Sequence, residues 1–382
     1  MPQFTSYQAG TSAYTADYPH ITQIMRSAYR GLGVELTPRF PRLGAEYAET
    51  ALDERLQLGN DLRAVCVVLI DGMGLAQLEE CRAHTPFLRS VWANMIEGRT
   101  VLPSTTAVAL TSLTTGEYPC DTNMTGWSVK SGDKTGNLIS FAEIETPAMQ
   151  FQPVEPLFSL GGGAKVISAS RFANSGLTDA AFRNTEFIGA DSFDARIAQG
   201  RRHLQRGEGL CYLYWSELDH VGHEYGWKSV KWTDELEQVD AQLRTLVAAC
   251  PSDAAVILTA DHGMIDVHKR LDLASEKALS QGVALIAGEG RAVHLHAQPG
   301  KQAEVLDRWA DFLGDCAIIV REQELAFGGR KPKYFEADAL VFSLGNQVIV
   351  DSRVQPARQV NLRGVHGSVT RAETAIPILR IA

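Results

Sequence analysis

"AVCVVLIDGMG" occupies residues 64–74: seven apolar residues, then Asp71 and a glycine-rich turn. A continuous apolar run closed by a turn signal, without the apolar/polar alternation of a half-solvated strand, marks a strand covered on both faces. Such a strand belongs inside a mostly parallel sheet sandwiched between helices. Outward from it the pattern recurs in "AKVISAS" (164–170), "LCYLYWS" (210–216) and "AAVILTA" (254–260). Between these runs lie helical periodicities such as "DELEQVDAQLRTLVAAC" (234–250), with Leu236, Val239, Leu243, Leu246 and Val247 on one face. The expected class is α/β, a three-layer α/β/α sandwich with a mostly parallel central sheet.

Before the first strand, "ITQIMRSAYRG" (21–31) reads as a helix, and the two prolines of "LTPRFPRLG" (36–44) make that stretch extended or turning. Residues 268–345 change character: a hairpin in 283–300, a helix in 301–315, a strand in 316–320. They are expected to form a small inserted cap subdomain within one catalytic domain spanning 1–382. The chain closes on a last strand, "AIPILRIA".

The totals exclude several classes. A net charge of −9 on 382 residues argues against a nucleic-acid polymer or an anionic membrane as partner. The six cysteines are scattered, with no CxxC pair, as expected of thiols in a reducing compartment. The first residues, "MPQFTSYQAGTSAYTADYP", hold neither a basic nor an apolar targeting segment, and no run approaches the roughly 18 apolar residues of a membrane span. The expectation is a soluble, cytoplasmic protein.

Ligands of an open parallel sheet bind beyond the carboxyl ends of its strands. There the sequence places Asp71, then Asp219 and His223 in "ELDHVGH", then Asp261 and His262, and from "GVHGS" His366. Each alone has an ordinary reading, Asp71 as a helix cap above all. Together, three carboxylates and three imidazoles suit two divalent cations, with zinc favoured by the imidazoles. The fragment "DGMG" lacks the third glycine of a dinucleotide loop, and Walker A, GxSxG and HExxH patterns are absent.

A hydroxyl-rich stretch, "LPSTTAVALTSLTTG" (102–116), lies between the first and second of these strand ends. Its apolar residues fit a helix starting just after Pro103, and a hydroxyl at that start faces the positive end of the helix dipole. Ser104, Thr105 and Thr106 are the candidates for a nucleophile. Thr111, Ser112, Thr114 and Thr115 lie further along, where hydroxyls bond back to the helix.

The order Asp-Gly after a strand, Pro-[Ser/Thr]-x-Thr, Thr-Gly, Asp-x-x-x-His, Asp-His-Gly and Gly-x-His-Gly resembles the alkaline phosphatase superfamily, and within it the nucleotide pyrophosphatase/phosphodiesterase family. The resemblance runs from about residue 64 to 366. It implies two zinc sites, one of Asp71, Asp261 and His262 with the oxygen of Thr106, the other of Asp219, His223 and His366. It implies Thr106, three after the proline, as nucleophile, with Thr105 one register away. The reaction implied is a double displacement through a covalent threonine intermediate on a small phosphate-ester or nucleotide substrate.

Two departures stand out. Ala107-Val108-Ala109 replace the family's Phe-Pro-Asn, and Trp127 stands where it has an asparagine that donates to the phosphoryl oxygen. Asn123 lies nearby, and Trp127 either donates or stacks at the substrate or packs. Tyr225 and Trp227 are open to the same two readings. His220 is expected to face away from the metals, and His294 and His296 to be structural. No basic residue falls in the nucleophile stretch, which favours diesters over dianionic monoesters. The alternatives are a phosphomonoesterase, phosphonate hydrolase or phosphomutase of the superfamily, and a catalytically silent metal-binding protein.

Overall fold

Seven strands form the central sheet: β1 (Ala64–Ile70), β2 (Ile96–Arg99), β3 (Lys165–Ser168), β4 (Glu186–Gly189), β5 (Gly209–Trp215), β6 (Ala254–Thr259) and β7 (Ala375–Arg380). In this computed structural model they pair in the order β2-β7-β6-β1-β5-β3-β4. Only β7 runs antiparallel to its neighbours; β1, β5, β6, β3 and β4 pair in parallel. The structure describes residues 14, 17–40, 48–160, 163–248 and 250–382. Most of the segment read as free of targeting signals, and the second half of "LTPRFPRLG", lie outside them.

β1 is central, and all seven of its residues are buried, as its unbroken apolar run requires. Helix α1 (Ile21–Gly31) packs on β1 alongside α2 (Thr106–Thr115). Helix α3 (Phe193–Arg206) also packs on β1, and beside it runs α5 (Val230–Val247), preceded by α4 (Glu217–Tyr225). The sandwich is thus complete, with helices covering the mostly parallel sheet. The buried face of α5 is Trp232, Leu236, Val239, Leu243 and Leu246, and Ser229 caps its start by accepting from the Trp232 N–H. The expected stripe holds; Val247 is half-buried at its end.

Strands Val283–Glu289, Ala292–Ala297, Ala317–Val320 and Ala339–Ser343 build a second, antiparallel sheet. Helix α6 (Gln302–Leu313) covers it, and Trp309, Leu279, Val305 and Leu295 form a core separate from the main one. The hairpin, helix and strand expected from sequence are all there. Unforeseen are Ala339–Ser343, which pairs with two of them, and Lys269–Asp272, which pairs in parallel with Gln347–Val350. No helix among the described residues is long and apolar enough to cross a membrane.

Candidate active site

Parallel pairing brings the strand ends level. Ile70 lies opposite Trp215 and Leu69 opposite Thr259, so Asp71, the start of α4 and Asp261 emerge at one edge. Asp71 caps no helix: the next one begins at Leu75 with Gly74 as its cap. The turn between needs glycine, because Gly72 has φ +71° and a Cβ there would stand 2.9 Å from Asp219 Cβ. Asp219 is in the first turn of α4 and His223 one turn on, so both project from one side; His223 Nε2 is 3.1 Å from Asp219 Oδ2. His366 arrives from 295 residues beyond Asp71, yet two short pairings pin it. Gly364–Val365 pairs with Ile265–Asp266, just past His262, and Gly367 bridges to Ser104. The His366 and His262 rings consequently stack at 3.6 Å.

All three imidazoles are oriented alike. Nδ1 of His262 donates to Gly263 O (3.0 Å), Nδ1 of His223 to Gly364 O (2.7 Å) and Nδ1 of His366 to Ser104 O (2.9 Å). A carbonyl only accepts, so each Nδ1 carries the proton and each Nε2 is left as a lone pair facing the carboxylates when the ring is neutral. His262 Nε2 is 3.3 Å from Asp261 Oδ2 and 3.5 Å from Asp71 Oδ1; His366 Nε2 is 3.9 Å from Asp219 Oδ1.

The buried oxygens Asp71 Oδ1, Asp219 Oδ1 and Asp261 Oδ2 have no hydrogen-bond partner among the described residues. Orphaned carboxylate oxygens beside bare imidazole nitrogens are the donor set a divalent cation satisfies. Ligand atoms of Asp219, His223 and His366 lie within 4.8 Å of one another, and so do those of Asp71, Asp219 and His262. Asp219 therefore reaches both groups, where the sequence reading placed it in one. Without a cation the carboxylates oppose one another. Burial, then the charges of Asp261 and Asp219, push Asp71 well up. Burial and Asp219 also raise Asp261, against the pull of His262. Burial works to raise Asp219 too, but His223, His366 and His262 together hold it below the usual range.

Thr106 opens α2, and its Oγ1 is 3.2 Å from His262 Nε2. Thr105 occupies the cap position but makes no side-chain cap bond. Ser104 is engaged elsewhere, donating to Ser368 O at 2.7 Å. The later hydroxyls mostly bond back as expected, Thr111 to Ala107 O and Thr115 to Thr111 O.

Thr106, Asp71, Asp219, His223 and His366 line a cavity of about 280 Å³ whose far wall is apolar, with Phe172, Phe182 and Leu177. Trp127, 36% exposed, stands where this cavity meets a second one of about 690 Å³. Asn123 does not face either. Its left-handed backbone ends a short helix, and its amide is spent on Phe151 O and the Lys333 N–H. Tyr225 borders a separate depression, its ring 3.5 Å beneath Lys231 Nζ, and Trp227 is buried in the core. His220 belongs to neither ligand group, yet it lines both cavities, because three residues before His223 on a helix it shares that side. His294 donates from Nε2 to Thr125 O at 2.9 Å.

Three residues escaped the sequence reading. Tyr214 donates its hydroxyl to Asp71 Oδ2. Arg171, from the loop after β3, reaches the first cavity and pairs with Glu217 at 3.2 Å. Glu289, at the end of a second-sheet strand, lines the second cavity. Burial raises its carboxyl to about 8, opposed by the Thr105 hydroxyl. Tyr214 did leave a trace, since Tyr212 and Tyr214 interrupt an apolar strand on one face.

A family model described as type I phosphodiesterase / nucleotide pyrophosphatase matches residues 65–368. Among solved structures, murine ectonucleotide pyrophosphatase / phosphodiesterase 5 superposes with a TM-score of 0.65 at 18% identity, covering 83% of this chain and 87% of that one. An inactive threonine-to-alanine form of that protein, in complex with AMP, gives 0.64 at 18% over the same shares. Phosphonoacetate hydrolase from Sinorhizobium meliloti 1021, in complex with phosphonoacetate, gives 0.65 at 18%, over 84% of this chain and 91% of that one. At these identities the likeness establishes the fold. No curated protein sequence matches significantly.

Proposed function

Because the chain belongs to the type I phosphodiesterase / nucleotide pyrophosphatase family, a family of phosphoester hydrolases, we propose that it cleaves phosphodiester or nucleotide pyrophosphate bonds with Thr106 as nucleophile. The observation that carries this is the position of Thr106 Oγ1, 3.2 Å from a bare imidazole nitrogen and at the edge of a ring of unpartnered carboxylate oxygens. Asp71, Asp261 and His262 with Thr106 would hold one cation, and Asp219, His223 and His366 the other. Zinc suits this mixture of imidazole and carboxylate. Two bound cations supply Lewis-acid stabilisation of the charge on the attacking and leaving oxygens.

The chain's residues then have definite tasks. Thr106 Oγ1 attacks phosphorus, giving up its proton; the bond from phosphorus to the leaving oxygen breaks, and that oxygen leaves with the electron pair and is protonated. Water next attacks phosphorus, the bond to Thr106 breaks, and Thr106 Oγ1 recovers a proton. The first N–H groups of α2, uncapped by Thr105, lie where phosphoryl oxygens are stabilised. Residues 1–382 are read as one catalytic domain, with about 268–345 as an inserted cap. The solved relative carrying AMP supports a small nucleotide as substrate. The scattered cysteines, with no CxxC pair, support the cytoplasm as its place of action.

One observation favours a second reading. Arg171 brings to the cavity the cation that the nucleophile stretch lacks, as a dianionic monoester or a phosphonate would use, and a phosphonoacetate hydrolase is among the structural relatives. Hydrolysis of bis-p-nitrophenyl phosphate and p-nitrophenyl phosphate by zinc-loaded protein separates the two. The expected result is preference for the diester, and loss of at least a thousandfold in Thr106→Ala at unchanged zinc content. Wild-type activity in Thr106→Ala would rule Thr106 out, and preference for the monoester would move the assignment to the second reading.

A further inference from the structure

The second cavity touches the site through only one of its two ligand groups. His223 and His366 form part of its wall, and Asp71, Asp261, His262 and Thr106 do not. In an in-line displacement the nucleophile and the leaving oxygen lie on opposite sides of phosphorus. With Thr106 on the His262 side, the leaving oxygen is on the His223/His366 side, which borders this chamber as well as the first cavity.

The polar lining mixes donors and carboxyl groups, with a single cation among them. Arg358 is the only arginine or lysine among the lining residues, and it has no ion-pair partner among the described residues. Gln355 uses its carbonyl to accept from the Asp351 N–H at 2.8 Å, which leaves its amide N–H₂ for a ligand. Trp127 shares the wall. Two carboxyl groups also line the chamber. Glu224 is exposed, and Glu289 carries a buried oxygen, Oε1, that has no hydrogen-bond partner among the described residues.

We propose that this chamber is the leaving-group subsite and that Arg358 makes it selective for leaving groups bearing an anionic oxygen, a phosphate above all. The preferred bond is then a pyrophosphate linkage, cleaved to release a phosphorylated leaving group, in preference to a diester of a neutral alcohol or phenol. This rests on the two-sided hydrolase reading above and deepens it. Arg358 binds the departing half; it takes no part in bond making.

The test compares kcat/KM for a dinucleoside pyrophosphate and for thymidine 5′-monophosphate p-nitrophenyl ester, in wild type, Arg358→Gln, Arg358→Glu and Arg358→Lys. Losing one charge-assisted contact is expected to lower the pyrophosphate-to-phenyl-ester ratio about tenfold in Arg358→Gln, chiefly through KM. Arg358→Glu should lower it further and Arg358→Lys restore part of it. Arg358 lies on an exposed turn of chain, and an unchanged melting temperature verifies that each variant is folded. A ratio within twofold of wild type in Arg358→Glu would overturn the subsite. Wild type that cleaves neither compound would instead overturn the hydrolase reading on which the subsite depends.

Discussion

Tyr214 shows how a single hydroxyl governs the site. Asp71 carries one oxygen with no partner and one that accepts from Tyr214. That division leaves Asp71 a single free oxygen and fixes its direction. The tyrosine's backbone is anchored as well, its carbonyl accepting from Arg196 at 2.7 Å. Burial and Asp71 raise the phenol well above its ordinary range, so it stays a donor. Tyr214→Phe keeps the ring and removes only the O–H. We expect metal affinity and activity to fall together by about 10–100-fold with the melting temperature of the fold nearly unchanged, measured by zinc titration and diester turnover. A loss of activity at full zinc affinity would show that Tyr214 contacts the substrate instead. Asp71, Asp261 and His262 were legible because they directly follow apolar strands, and Asp219 and His223 because they lie on the helix after one, where sequence position predicts spatial position; His366 stood out only between its glycines. Tyr214 was hidden inside such a strand, and Arg171 lies 65 residues beyond Thr106, brought in only by the order of strands. Asn123 misled for the opposite reason: nearness in sequence to Trp127 does not control direction, and its left-handed backbone turns it away.

Elements, once formed, hold the site through a few buried ties. The tie between the two sheets is the fully buried pair Arg291–Glu373. Arg291 leads the second strand of the hairpin and also donates to Gln347 O at 2.6 Å. Glu373 accepts from the Ser368 N–H at 2.9 Å, two residues after His366. The hairpin thus bears on the loop of His366, a candidate metal ligand, through a charged pair that water does not reach. Removing one partner leaves the other charge buried and unpaired, at about 3–5 kcal/mol. Arg291→Met is therefore expected to lower unfolding stability by about that amount in urea titration, and Arg291→Met with Glu373→Gln to recover part of it. Equal stability of the single variant and wild type would show that the pair is solvated in solution. The strands were readable in sequence from their periodicity. This tie was not, because an arginine in a hairpin turn and a glutamate near the chain end look like surface residues until pairing closes over them. The strand Ala339–Ser343 was missed similarly: its two faces are buried in different cores, Leu340 and Phe342 in the main one and Ala339 and Val341 in the second.

At the scale of the whole molecule, the second sheet binds two histidines whose charge the fold refuses. Burial drives His294 down to about 3, with the charge of His296 adding to it, and drives His296 down to about 4, with Lys130 adding and Asp338 opposing. Both have an ordinary value of 6.5. Above pH 6.5 the folded and unfolded chains are alike in holding these rings neutral, and no stability depends on them. Below 6.5 the unfolded chain takes up protons that the folded chain excludes, so acid favours unfolding. Each histidine then removes about 1.4 kcal/mol per pH unit until pH approaches 4, where His296 begins to titrate in the folded state. These two histidines should therefore pull global stability down between pH 6.5 and 5, opposed over the same interval by Glu289, whose raised carboxyl is protonated in the folded chain and ionised in the unfolded one. His296→Leu replaces a ring whose Nε2 has no partner and should fold. In that variant the urea midpoint is expected to fall with pH over this interval at roughly half the slope contributed by the pair. An identical slope in the variant and wild type would place the acid sensitivity elsewhere in the chain.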